Sequence, residues 1–205
     1  MLERFAATFR LTAGEPERAA GTQGGQVESL NRRFGGCTFG RGLYRVHTER
    51  SAQAATQLVI NAFPEYRGRV SCFGFDWLGR QFALDSGRGT PDDPEVLMFE
   101  PGTGESLEAS VPFSRFHDEE LVDYTDDILA ARFFSEWMSA SGGSEIGFDQ
   151  CVGYRTPLFL GGDDVVANLE VSDIDVYWTI MGQLRLQVMS LPPGTQISGV
   201  RLEND

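Results

Sequence analysis

Asp76 and Arg80 stand four residues apart in the run FGFDWLGRQFALD, and Asp85 closes it. Asp76 next to a guanidinium has the residue types of a general base held in place by a cation. The same residues also suit a hairpin. Phe73, Phe75 and Trp77 alternate with Gly74, Asp76 and Leu78; after Gly79, Phe82 and Leu84 alternate with Ala83 and Asp85. Tight turns select glycine and aspartate for backbone reasons alone. The hairpin reading is preferred: Trp77 is a core aromatic, Gly79 a turn residue, and Asp76 and Arg80 a pair on the rim of the turn.

Nucleophilic catalysis requires a base beside the nucleophile. The two histidines, His47 and His117, fall in different elements, so the pairs to consider are Cys37 with His47 and Cys151 with His117. Neither has a local catalytic signature, and two histidines without a CxxC give no zinc site. EPGTGE (100–105) has the glycines of a phosphate loop but lacks its lysine and its strand-to-helix setting. It reads as a hairpin turn. GGCTFGRG (35–42) lacks GxGxxG spacing and reads as a glycine-rich strand corner.

Carboxylates are abundant: Asp118-Glu119-Glu120, Asp123, Asp126-Asp127, Asp163-Asp164 and Asp173/Asp175. To act as catalysts or hold magnesium they would have to converge in a cleft. Otherwise they are solvated faces, helix caps or a surface for a partner. The net charge of −13 is unevenly spread, +3 over residues 1–50 and −9 over 101–150, and there is no lysine. Such a chain disfavours nucleic acid, whose phosphates require cations, and favours a basic partner. No apolar run reaches the ~18 residues of a membrane span, and the N-terminus carries charges within its apolar stretch, unlike a secretory signal. Three scattered cysteines fit a reducing cytosol. No metal or cofactor is expected.

Around these residues the hydrophobic spacing predicts an α+β chain of one domain. A helix is expected within 1–11, a polar linker over 12–25, and a short helix bearing Val27, Leu30 and Phe34. Two short strands follow around Gly40 and Gly42. Thr48 caps a helix that runs to Phe63 and stops at Pro64. A β-meander follows: 69–77, 81–85, 96–99 and 106–111, with a polar turn over 87–94. The central antiparallel sheet is expected to hold four to six strands. Ser114 is read as the cap of a short helix. A longer helix from Thr125 carries Ile128, Leu129, Phe133, Phe134, Trp137 and Met138, and closes at Gly142-Gly143. Residues 144–170 read as irregular. Ser172 or Asp173 caps a last helix with Tyr177 and Trp178 on its inner face, ended by Pro192-Pro193-Gly194; alternation at Val176, Trp178 and Ile180 leaves a strand as the alternative.

DWLGRQFALD, VLMFEPGTGE, FHDEELVDY…FFSEW and VGYRTPLFLGGDD…NLEVSDIDVYW…GQL together resemble a bacterial family, formerly a domain of unknown function, of immunity proteins for type VI secretion DNase toxins. LNRRFGG…GLYRVH is similar to the start of SUKH-type immunity proteins. The resemblance spans roughly residues 27–190, and Trp77, Gly79, Arg80, Tyr177 and Trp178 lie in its structural motifs. Some members carry a longer N-terminal domain related to an insert domain of tRNA enzymes, for which the first ~25 residues are too few. The division implied is an N-terminal helix and linker over 1–25 and an immunity-type domain over 26–205.

The resemblance implies a cytoplasmic protein that neutralises a cognate toxin by binding it, with no catalysis of its own. The charge pattern agrees, because a nuclease toxin presents a cationic groove. The residues expected to meet it are Asp118, Glu119, Glu120, Asp123, Asp126, Asp127, Asp163 and Asp164. The alternatives are a SUKH-like regulatory interaction domain with an unrelated partner, and a small-molecule enzyme built on carboxylates near Asp76 and Asp85.

Overall fold

The architecture is that of a computed structural model, which describes residues 2–15, 25–189 and 191. The proline–glycine stop at 192–194 and most of the linker lie outside the described residues. One seven-stranded antiparallel sheet runs in chain order, β1 (Leu11–Ala13), β2 (Thr38–Phe39), β3 (Tyr44–Val46), β4 (Val70–Asp76), β5 (Gln81–Thr90), β6 (Asp93–Glu100) and β7 (Glu105–Pro112). This α+β sheet exceeds the expected four to six strands because Leu11–Ala13 pairs with β2 and becomes its first strand.

Period-two alternation sorts side chains to opposite faces of the sheet. Phe73, Phe82, Val96 and Met98 join one cluster with Phe5 of α1 (Glu3–Thr8) and Leu30 of α2 (Gln26–Phe34). Cys72, Ala83, Leu97 and Phe99 face the other way, against Val59 and Phe63 from α3 (Glu49–Ala62) and its C-terminal end and Trp178 of α8 (Ile174–Met189). Both faces are therefore covered at the centre, which is why strand β6 reads VLMF without a polar residue. Thr48 caps α3 as expected: Ser51 N donates to Thr48 Oγ1, and Thr48 N donates to Ser51 Oγ. Asp173 Oδ1 accepts from the backbone N–H groups of Asp175 and Val176 and caps α8, so the helix rather than the strand is realised.

Three expectations are corrected. Residues 87–94 are no open turn, because β5 and β6 continue to Thr90 and Asp93, with their register broken between Asp85 and Gly89. The 144–170 region contains β8 (Gln150–Tyr154) and runs into β9 (Leu169–Asp173), which form a separate antiparallel pair. Ser114 is not a cap; its hydroxyl donates to Asp93 Oδ2, and the chain winds through α4 (Phe113–Arg115), a π-turn (Phe116–Glu120) and α5 (Leu121–Asp123).

The long helix expected from Thr125 is also interrupted. Ala130 takes φ 48°, which splits it into α6 (Thr125–Leu129) and α7 (Ala131–Ala140). The apolar stripe survives, with Leu129, Phe134 and Trp137 buried.

Candidate partner-binding surface and the buried turn beneath it

The break at Ala130 frees carbonyls at the end of α6, and buried carbonyls require donors. The DWLGR turn supplies them. Trp77 Nε1 donates to Leu129 O at 2.8 Å, and Arg80 Nη2 donates to Ile128 O at 2.8 Å. Gly79 takes φ 78°, open to glycine, and its carbonyl accepts from Trp178 Nε1 at 2.7 Å. The stretch thus joins the sheet to α6 and α8.

The rim pair expected at Asp76 and Arg80 is in fact interior: Asp76 is 0% exposed and Arg80 6%. Asp76 Oδ2 accepts from Arg80 Nε at 2.6 Å, and Oδ1 accepts from the amides of Leu78 and Arg80. Burial pushes the Asp76 carboxyl above its ordinary value, against the pull of Arg80. Despite its own burial, the Arg80 guanidinium is held above its ordinary value by Asp76. The reason is topological. Trp77 and Leu78 are roofed by Phe134, Val152 and Leu169, elements distant in sequence. Asp85 is likewise 0% exposed and accepts a bidentate pair from Arg69 Nε and Nη2. Both carboxylates of the enzyme alternative are engaged by arginine.

The histidines and cysteines are also interior. His117 Nε2 meets Tyr44 Oη at 2.9 Å, and burial lowers the His117 pKa to about 3. His47 lies between Ser51 Oγ and Gln81 Oε1, lowered by burial to about 4. Their partners are thus hydroxyls and an amide rather than Cys37 or Cys151. Burial raises both thiols, Cys151 to about 12.

Six of the eight acids expected at a partner surface lie between the π-turn and α6. Asp118 Oδ1 accepts from Phe5 N at 3.0 Å, and this and neighbouring amides hold its carboxyl below the ordinary range despite partial burial. Glu119 pairs with Arg115. Asp123 receives both Nη groups of Arg4, at 3.1 and 2.6 Å. Asp126 accepts from the backbone N–H of Arg132 at 2.8 Å, in the first turn of α7, and pairs with the same guanidinium. Glu120 and Asp127 have no ion pair among the described residues. Asp163 and Asp164 sit apart from these six, in the β8–β9 connection, where Asp164 Oδ1 accepts from Tyr154 Oη at 2.7 Å. Arg4 went unread as a partner of this run; 119 positions separate it from Asp123, and no local pattern signals the pairing.

Among the described residues no helix is long and apolar enough to cross a membrane. No curated protein matches the chain. The crystal structure of Atu4351 from Agrobacterium tumefaciens has the same fold at a TM-score of 0.56, with 15% identity and 89% of each chain covered. Residues 112–185, which contain all eight of these acids, match the model of a family described as T6SS immunity protein Tdi1, C-terminal, the immunity-protein resemblance expected from the sequence.

Proposed function

We propose that this is a cytoplasmic immunity protein that binds a cognate, basic, nuclease-type toxin of a type VI secretion system through its carboxylates and performs no catalysis. The observation that carries the reading is the coincidence of family match and charge. Residues 112–185 hold fourteen acids against four arginines and no lysine. A cationic active-site groove is the complement of such a segment, and opposite charge speeds encounter while selecting the partner.

The acids differ in what they offer. Glu120 and Asp127 can receive a toxin arginine or lysine directly. Glu119, Asp123 and Asp126 already hold Arg115, Arg4 and Arg132 in exposed pairs, each worth little in water. For these, docking exchanges an internal guanidinium for an external one. Asp118 is tied to α1 and acts as scaffold. Partner residues that anchor the complex would fill apolar pockets, since rim charge governs on-rate more than residence time.

The test is co-expression with the secreted-toxin gene encoded alongside. Restored growth and a co-purifying complex are the expected results. Unrelieved toxicity, with no complex formed by the purified proteins, would overturn the reading.

A further inference from the structure

A small cavity opens on the sheet side of α3, beside the start of α8, at a place separate from the Asp118–Asp127 run. Its volume is about 170 Å³. The walls are apolar, from Ala54, Ala55, Leu58 and Ile174, and the rings of Phe75 and Phe148 add an aromatic face, 5.3 Å apart in an edge-to-face contact. At the polar end lies Gln81, 1% exposed. Its Oε1 is taken by His47 Nε2, and its amide nitrogen has no partner among the described residues.

Three carboxylates also line the cavity: Asp149, Asp173 and Asp175. They come from two segments brought together where Ile174 N donates to Asp149 O at 2.9 Å. None of the three has an arginine partner among the described ion pairs, although arginine pairs are common on this protein. The nearby guanidinium, Arg45, is directed to the carbonyls of Gly147, Gln150 and Asp76 and stacks on Phe75. Among the described residues no group of three such ligands is placed to hold a metal ion.

We propose that this cavity receives a lysine- or arginine-bearing segment of the toxin partner. The inference rests on the immunity reading and deepens it. The aliphatic stem of the basic side chain lies along Ala54, Leu58 and Ile174. Its charge meets Asp149, Asp173 and Asp175, and a carbonyl of the delivering segment accepts from the free amide of Gln81. Apolar walls suit a long methylene stem, the Phe75 ring is already stacked by Arg45 and His47 and serves as wall rather than cation site, and the neutral His47 adds no repulsion. Such a side chain is the central anchor that rim charges do not provide.

The test uses the full chain, followed by NMR while it is titrated with the blocked residues N-acetyl-lysine methylamide and N-acetyl-arginine methylamide, with N-acetyl-norleucine methylamide as the uncharged control. Shifts at Ala55, Leu58, Phe148 and the Gln81 side-chain amide with the cationic probes alone are the expected result. Asp149→Asn and Asp175→Asn should each weaken binding about threefold. Ala54→Leu, at an exposed position, should block the mouth and abolish the shifts without unfolding the protein. Equal shifts with norleucine, or shifts confined to Glu120 and Asp127, would overturn the proposal. So would undiminished toxin binding by a chain carrying D149N, D175N and A54L together, an outcome that leaves the immunity reading standing. Failure of the wild-type chain to bind its neighbouring toxin would sink that reading, whatever the probes do.

Discussion

Phe5 N donates to Asp118 Oδ1 at 3.0 Å, so an acid from the negatively charged run caps the first helix of the chain. Leu2, at the start of α1 with φ 74°, has no side chain able to do so. Asp118→Ala is expected to cost about 1 kcal/mol, and Asp118→Asn less, since its amide oxygen can still accept. Chemical denaturation of the two variants measures the difference. Amide exchange should quicken in α1 first. If toxin binding survives both changes, Asp118 belongs to the scaffold rather than to the contact surface.

The buried Asp76–Arg80 pair makes a sharper prediction. Removing one member of a buried pair leaves the other charge uncompensated, at about 3–5 kcal/mol. Asp76→Asn should destabilise in that range, because it weakens the hold on Arg80 and, through Arg80, on the carbonyl end of α6. Trp77→Phe, which loses the bond to Leu129 O, is expected to cost about 1–3 kcal/mol. Both losses should appear in urea unfolding. A small-molecule activity that disappears in a still-folded Asp76→Asn protein would instead revive the enzyme alternative.

The turn shows what was legible in the sequence and what was not. Alternation around Gly79 was enough to place the hairpin, because a side-chain period of two is a local property. That Asp76 and Arg80 are interior was not legible, because their cover arrives from residues 128–134 and 152–169. The same limit hid β1. Three residues, Leu11–Ala13, carry no strand signal of their own and are strand only through pairing with Thr38 and Phe39. Asp163 and Asp164 looked equivalent to Asp126 and Asp127 as acidic doublets, yet chain topology places them in another loop, against Tyr154. Asp149, the third carboxylate of the cavity, stands isolated between Phe148 and Gln150 and offered no doublet to notice.

Acid should destabilise the protein through its two histidines. His47 and His117 have folded pKa values of about 4 and about 3, both below the ordinary 6.5. As pH falls, the unfolded chain therefore takes up protons first. The stability gained by keeping the rings neutral is full above about 6.5 and is lost progressively on the way to the folded values. From pH 7.5 to 5.5 the loss is about 1 kcal/mol per histidine. His117→Gln, which can still reach Tyr44 Oη, should flatten that slope by roughly half in urea midpoints measured across the range. An unchanged slope would mean that His117 titrates normally.

Among the described residues Glu120 and Asp127 are the acids of the run held by neither an arginine nor the amides of α1, and this sets the expected kinetics of toxin association. Charge reversal at both, Glu120→Arg with Asp127→Arg, removes two attractive charges and adds two repulsive ones. Neither side chain packs in the core, so unfolding midpoints should move by no more than about 0.5 kcal/mol. Steering acts on encounter, so the association rate should fall roughly tenfold at low salt while dissociation changes less. Raising ionic strength shortens the screening length to about 8 Å near 0.15 M and should bring mutant and wild type together. Stopped-flow association across a salt series reads all of this directly. Equal rates at every salt concentration would move the contact surface elsewhere, and the cavity beside Asp149 and Asp175 would be the next place to reverse.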